Sequence, residues 1–189
     1  MNAFDRDIEP CLKVLQEGGI ILYPTDTIWG LGCDATNAAA VQKIFSLKQR
    51  EESKSLIVLV ADERDVLQYV AAPDMAVFDY LQAQARPTTV IYPGAIGLAA
   101  NLVAADGSVG IRICHDPFCR HLIRRLRRPL VSTSANISGS PSPTHFATVE
   151  EVIKNGVDYV VNYRQDDTSP ARASSIIAWD NGQVRIIRP

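Results

Sequence analysis

Residues 18–50 read GGIILYPTDTIWGLGCDATNAAAVQKIFSLKQR, and this stretch decides the fold. Gly19 to Tyr23 is a short apolar, β-branched run with a glycine pair at its start and Pro24 after it, the pattern of a buried strand. Thr25, Asp26 and Thr27 follow at once. They put three hydrogen-bonding side chains at the end of a core strand, where open α/β sheets carry their ligands. Taken alone, such a triplet reads as a capped turn. Gly30 and Gly32 are expected to let the backbone turn where a side chain would obstruct it. Thr36 or Asn37 can cap a helix in which Ala38, Val41, Ile44 and Phe45 form one apolar stripe. Lys48 stands four residues beyond Ile44 and continues the inward stripe, so it either snorkels past the core edge or points into a cleft. Arg50 and Lys54 follow. Three cations leaving an inward-directed helix end, near a hydroxyl-rich strand end, suit an anionic ligand such as a polyphosphate. Without that context, KQREESK reads as a solvated charge cluster.

Outward from this stretch, the chain of 189 residues fits a single domain, expected here over residues 1–189, and is long enough to bury a real core. Hydrophobic content of 47% and charged content of 21% are those of a soluble globular protein. A net charge of −2 supplies no global field for nucleic acid, so any RNA contact must be local. The first residues lack the layout of a secretory signal, and no apolar run approaches the length of a membrane span. A cytoplasmic location is the expectation, with the four cysteines as free thiols.

The rest of the chain alternates strand and helix patterns. Asp7 can cap a first helix with Ile8, Cys11, Leu12 and Leu15 on one face, ended by Gly18. Leu56 to Val60 reads as a strand, residues 62–84 as two helices broken near Pro73, and Thr88 to Tyr92 as another strand. In Val109 to Cys114 the aliphatics Val109, Ile111 and Ile113 alternate with Gly110, Arg112 and Cys114, which sets Arg112 on the opposite face. A helix starts at Asp116 and Pro117. Leu130 to Ser132 is a strand running into Thr133, Ser134, Ala135 and Asn136. A helix near 147–155, a strand near 158–162 and a closing pair at 174–179 and 183–188 follow. Asp180-Asn181-Gly182 makes that pair a hairpin.

Three further clusters carry alternatives. Ser132, Thr133, Ser134 and Asn136 form either a hydrogen-bonded turn or an anion nest of backbone N–H groups with hydroxyl and amide donors. Cys114, Cys119 and His121 invite a zinc reading, but the spacing is not that of common structural sites, and core packing is the expectation. Arg120, Arg124, Arg127 and Arg128 lie near one another on a helix. A solvated face is the default there, and a salt-sensitive RNA or partner contact the alternative.

The chain resembles the YrdC/Sua5 family of threonylcarbamoyl-adenylate synthases. The family's P-T-D-T-x-Y-G-L appears as Pro24 to Leu31, its K-x-R as Lys48 and Arg50, and its S-x-N as Ser134 and Asn136. The similarity runs from about Gly18 to Arg188. Trp29 stands where tyrosine is usual, Ser55 replaces a proline after Lys54, and Gln84-Ala85-Arg86-Pro87 stands for W-P-G-P. The resemblance implies an α/β fold: a YrdC-like twisted, open, mixed sheet with helices packed on it and a concave, positively lined cavity. It implies synthesis of threonylcarbamoyl-AMP and pyrophosphate from L-threonine, bicarbonate or CO2, and ATP, for modification of adenosine 37 in tRNA. Mg²⁺ would enter with ATP and not on protein side chains. Lys48 and Arg50 are implied to act on the phosphates, by position and charge neutralisation. Arg50, Lys54, Ser108, Ser134, Asn136, Ser142 and Arg188 are implied in ATP binding, and Thr27, Arg112, Ser132 and Ser174 in threonine binding. Further implied partners are tRNA and a downstream tRNA threonylcarbamoyltransferase complex. The alternative is a non-catalytic tRNA- or dsRNA-binding module of the same fold.

Overall fold

The computed structural model describes residues 2–51, 56–180 and 182–189. Among them, nine strands form one mixed sheet. In chain order these are β1 (Ile21–Tyr23), β2 (Gly30–Gly32), β3 (Ile57–Val60), β4 (Thr88–Tyr92), β5 (Val109–Ile113), β6 (Leu130–Ser134), β7 (Tyr159–Val160), β8 (Ser175–Asp180) and β9 (Gln183–Arg188). Their order across the sheet is β7-β1-β2-β6-β3-β5-β4-β8-β9. The helices are α1 (Asp5–Gln16), α2 (Ala38–Lys48), α3 (Glu63–Tyr69), α4 (Ala76–Gln82), α5 (Pro117–Leu126) and α6 (Glu151–Asn155). None of the helices among the described residues is long and apolar enough to cross a membrane.

Strands β1 and β3 are apolar on both sides because both their faces are covered, which is why they read as unbroken hydrophobic runs. Along β1, Leu22 packs toward α2 with Ile44 and Phe45, whereas Ile21 and Tyr23 join α1 and α5 in a second cluster with Leu15 and Phe118. Likewise Val58 and Val60 of β3 face the first cluster, and Leu59 the second. The period of two sends successive side chains to opposite layers.

Gly30 to Gly32 forms a strand rather than the turn expected there, paired with β1 on one side and β6 on the other. The glycine at 32 is required by crowding. A Cβ there would stand 2.5 Å from the ring of Tyr23 and 2.8 Å from the carbonyl oxygen of Val131. The Tyr23 hydroxyl crosses this gap to donate to that same carbonyl at 3.0 Å.

The first helix begins two residues before Asp7, whose buried carboxylate serves the 159–163 segment instead of a cap. Gly18 follows α1 with φ +74°, the left-handed geometry of a helix-terminating glycine. Asn37 caps α2, its Oδ1 accepting from Ala40 N at 3.1 Å. The helix expected near 147–155 is a single 3₁₀ turn, Phe146–Thr148, followed by α6. The closing hairpin pairs Asp180 with Gln183; Asn181 of its turn lies outside the described residues. Cys114 and Cys119 are both buried, with Cys119 Sγ 3.3 Å from the carbonyl of Pro24.

Candidate functional site

The layer formed by α1 and α5 covers the β1 end of one sheet face. Further along the same face the outward positions are occupied by Gly110 and Arg112 of β5, Thr89 of β4 and Ser132 of β6, in place of large aliphatics. The strand register sets Arg112 beside Thr89 and Ser132 beside Ile57. Small and polar residues in these positions leave a cavity of about 210 Å³.

Arg50, Arg112 and Arg188 line it, from three widely separated parts of the chain. Thr27, Ser132, Ser134, Ser142 and Ser174 supply hydroxyls to its wall, with Leu56, Ile57 and Ile176 as an apolar side. No carboxylate stands among the described residues that line it. Burial lowers the pKa of Arg188, and the neighbouring Arg112 lowers it further. Burial does the same at Arg50. The hollow is therefore a site where positive charge is concentrated and partly desolvated, conditions that strengthen attraction for an anion.

The turn between β1 and β2 is built by its own hydroxyls. Thr25 Oγ1 accepts from Thr27 N at 3.0 Å and donates to Ile28 O at 2.9 Å. That bonding aims Thr27 at the cavity, where its Oγ1 takes a hydrogen bond from Arg112 Nη2 at 3.2 Å. The Arg112 side chain is 3% exposed, and its Nε is buried with no partner among the described residues. An unmet buried donor costs about 1–3 kcal/mol, so this guanidinium is poised to gain from an acceptor. On the neighbouring strand, Thr89 Oγ1 lies 2.9 Å from Ser174 Oγ, and Ser174 O accepts from Arg188 Nη2 at 2.8 Å and Nε at 3.1 Å.

Three of the residues named from the sequence take other positions, and a fourth is not among the described residues. Lys48 does not line the cavity. It is 1% exposed, and its ammonium donates to the carbonyls of Ser134 at 2.5 Å and Asn136 at 2.6 Å, behind the wall. Burial, with Arg50 nearby, pushes its pKa down to about 8. Asn136 is also turned away, its amide donating to Ile137 O and Ser140 O and so shaping the loop that carries Ser142. Ser108 lies apart from the cavity, its backbone N–H held by Asp106 at 3.0 Å. Lys54 lies outside the described residues.

Several contributors escaped the sequence reading. Thr89 holds Ser174, and nothing in an apolar strand marks one threonine as a partner of a serine 85 residues away. Arg164, at φ +65°, donates to Thr25 O and to Asp116 Oδ2, bracing the turn from outside. Trp29 packs on Phe146 with ring centroids 4.8 Å apart, which is what the larger aromatic at that position does. Three of the arginines in and just after α5 pair with acids: Arg128 with Asp34 at 2.6 Å, Arg125 with Glu9 at 2.5 Å, and Arg124 with Asp62 at 3.8 Å.

Comparison with known proteins places this geometry in context. The Sua5_yciO_yrdC family model, described as "Telomere recombination", matches residues 13–189. A protein of Idiomarina loihiensis named threonylcarbamoyl-AMP synthase is 37% identical over 170 residues, covering 88% of this chain and 90% of that protein. A structure of a doubly substituted P. abyssi Sua5 superposes with TM-score 0.85 at 25% identity, over 97% of this chain and 56% of the other. The chain thus spans little more than half the length of that Sua5. A P. abyssi Sua5 complexed with L-threonine gives TM-score 0.85 at 24% identity, over 97% of this chain and 54% of the other, and shows the shared fold.

Proposed function

The chain belongs to the Sua5/YciO/YrdC family, and on that premise we propose that it is an enzyme that makes threonylcarbamoyl-AMP. The substrates are L-threonine, CO2 or bicarbonate, and ATP; the products are the adenylate and pyrophosphate, so the class is nucleotidyl transfer. The observation that carries this reading is the convergence of Arg50, Arg112 and Arg188 on one hydroxyl-lined hollow, with no carboxylate among the described residues that line it.

We divide that hollow into two halves. Arg112, Thr27, Ser132 and Ser174 take the amino acid: the guanidinium meets the carboxylate, a charge-assisted pairing, and the hydroxyls orient the rest. Arg50, Arg188, Ser134 and Ser142 take the triphosphate. Asn136 fits the loop-shaping bonds it makes, and Lys54 and Ser108 remain candidates for outer nucleotide contacts. The threonine amine attacks CO2 and loses a proton, giving a carbamate. A carbamate oxygen then attacks the α-phosphorus, and pyrophosphate departs. Negative charge grows on the phosphate oxygens in that step, and fixed cations already in place stabilise it without reorganising. Holding both substrates in one hollow supplies the rest, since approach and alignment are settled before reaction. Lys48 acts on this chemistry through the Ser134–Asn136 loop and through its charge. Mg²⁺ bound to ATP would add charge neutralisation at the phosphates, with the Ser134 and Ser142 hydroxyls available to it and no carboxylate among the described lining residues. The adenylate then passes to a tRNA threonylcarbamoyltransferase complex, in a soluble compartment.

Two substitutions separate the halves. Arg112→Ala raises the threonine KM about tenfold to a hundredfold and leaves the ATP KM near its starting value. Arg50→Ala does the reverse. Steady-state pyrophosphate release checks both; equal effects of the two variants on both substrates would contradict the division. A purely RNA-binding role fits less well, because two of the four arginines it would use, Arg124 and Arg128, already face acids.

A further inference from the structure

Residues 161–174 join β7, at one edge of the sheet, to β8, with β1, β2, β6, β3, β5 and β4 lying between. This strap is fixed at its start by the Asp7 carboxylate, which accepts from Asn162 and from Tyr163 N. It ends in the cavity wall at Ala173 and Ser174, where Thr89 and Arg188 hold Ser174. Between these anchors, and among the described residues, the hydrogen bonds that leave the strap are those of Arg164. Gln165, Asp167 and Ser169 bond within it.

Arg164 Nη1 donates to Thr25 O at 3.2 Å and to Asp116 Oδ2 at 2.9 Å, and its Nε donates to Asp167 Oδ2 at 3.1 Å. The other Asp116 oxygen accepts from Cys119 N and caps α5. One guanidinium therefore ties together the strap, the start of α5 and the β1–β2 turn. A planar fork with donors in fixed directions suits that task, since it loses little freedom per bond formed. The backbone at Arg164 has φ +65°, which glycine adopts freely and an arginine adopts at a cost. Three acceptors on one side chain offset that cost.

The consequence for the cavity runs through Thr25. Arg164 holds its carbonyl, while its hydroxyl bonds Thr27 N and Ile28 O, so the turn is pinned at its first residue. The same turn carries the two side chains that hold Arg112: Asp26 Oδ1 accepts from Nη2 at 3.0 Å and Thr27 Oγ1 at 3.2 Å. Strap and turn also pack together, with Thr25, Thr27, Trp29, Arg164, Asp167 and Ser169 around a hollow of about 20 Å³. A turn released at Thr25 would move Thr27 and loosen the aim of Arg112. The nucleotide half rests on other elements: Arg188 on β9, held by Ser174 O, and Ser134 on β6, its carbonyl held by Lys48.

We propose that Arg164 is a positioning residue for the amino-acid half of the cavity: it clamps the β1–β2 turn so that Thr27 and Arg112 meet threonine in a fixed geometry. This rests on reading the cavity as a joint threonine and ATP site. Arg164 is not part of the cavity wall and acts through the turn. Such alignment is settled before the substrate arrives, so its loss appears as a weaker grip on threonine.

Arg164→Gly removes the side chain and leaves the backbone conformation easy to adopt. It is assayed in the full chain by threonine-dependent pyrophosphate release. The threonine KM rises about tenfold, while the ATP KM moves by less than about twofold. Arg164→Lys restores a cation without the fork, and its threonine KM falls between those of the wild type and the Gly variant. Asp116 is 5% exposed and loses its cation in the Gly variant. Should that variant not fold, Asp116→Asn combined with Arg164→Gly replaces it, because the amide oxygen still accepts from Cys119 N without a charge. The same rise in threonine KM is expected there. A merely structural role lowers yield or melting temperature and leaves the threonine KM unchanged, because KM does not depend on how much enzyme is folded. That result in whichever variant folds, an ATP KM rising as much as the threonine KM, or a Lys variant no better than the Gly variant would overturn the proposal. A wild-type chain with no threonine-dependent pyrophosphate release overturns the functional reading and this proposal with it, whereas an active wild type with unshifted variants overturns the role of Arg164 alone.

Discussion

At Lys48 an ammonium is buried by 99% of its residue surface and compensated by two carbonyls, at 2.5 and 2.6 Å. Burial is the larger influence on its pKa, then Arg50, and together they lower it from 10.5 to about 8. The sign of the linkage follows. Below about pH 8 the lysine is protonated in both folded and unfolded chains, and the full cost of burying it, about 3 kcal/mol, is present. Between about pH 8 and 10.5 the unfolded chain holds more of the proton, so stability rises with pH. Against Lys48→Met, whose stability has no such dependence, the wild type gains as pH is raised from 8 to 10 in urea unfolding series. A difference that stays flat over that range would mean the ammonium is not desolvated. The inward direction of Lys48 was legible from its spacing to Ile44. Its end point was not, because the two carbonyls lie 86 and 88 residues away and no local pattern encodes them.

At the scale of elements, the helices and most strands could be read because their apolar residues repeat with the period of the structure they enter. Helix α1 shows where that reading fails. Asp7 has the sequence context of a cap, yet the helix begins at Asp5, and the Asp7 carboxylate accepts from Tyr159 Oη, from the N and Nδ2 of Asn162, and from Tyr163 N. Local chemistry permitted either use, and a segment more than 150 residues away decided it. Burial alone would raise the pKa of Asp7, but the hydrogen bonds from Asn162, Tyr159 and Tyr163 win and hold it below 3.8. Its stabilisation is therefore present above about pH 4 and is lost as pH falls through the lowered folded value. Asp7→Ala costs about 3 kcal/mol or more at neutral pH, since four donors lose their acceptor. The variant closes that gap on acidification, as thermal unfolding at pH 7 and pH 3 will register. A loss below about 1 kcal/mol would show that the four bonds do not join α1 to the 159–163 segment. Strand β2 is the converse case: its two glycines read as a turn because the crowding that demands Gly32 comes from Tyr23 and Val131 across the sheet.

For the molecule as a whole, the mixed sheet turns scattered letters into one site. Residue types could be read from the chain, and the family motifs named most of the cavity wall. The strand order that brings β5, β6 and β9 around one hollow could not be derived from periodicity, which is silent on pairing. Arg50, Arg112 and Arg188, drawn from distant parts of the chain, line one cavity and there favour a polyanion. The account's central claim is that this polyanion is ATP and that it reacts with a carboxylated threonine. The direct measurement is pyrophosphate release from ATP by the purified wild-type chain, with and without L-threonine and bicarbonate. Release that requires both, accompanied by formation of threonylcarbamoyl-AMP, is the predicted result. Release indifferent to threonine, or none with all three substrates present, would contradict it.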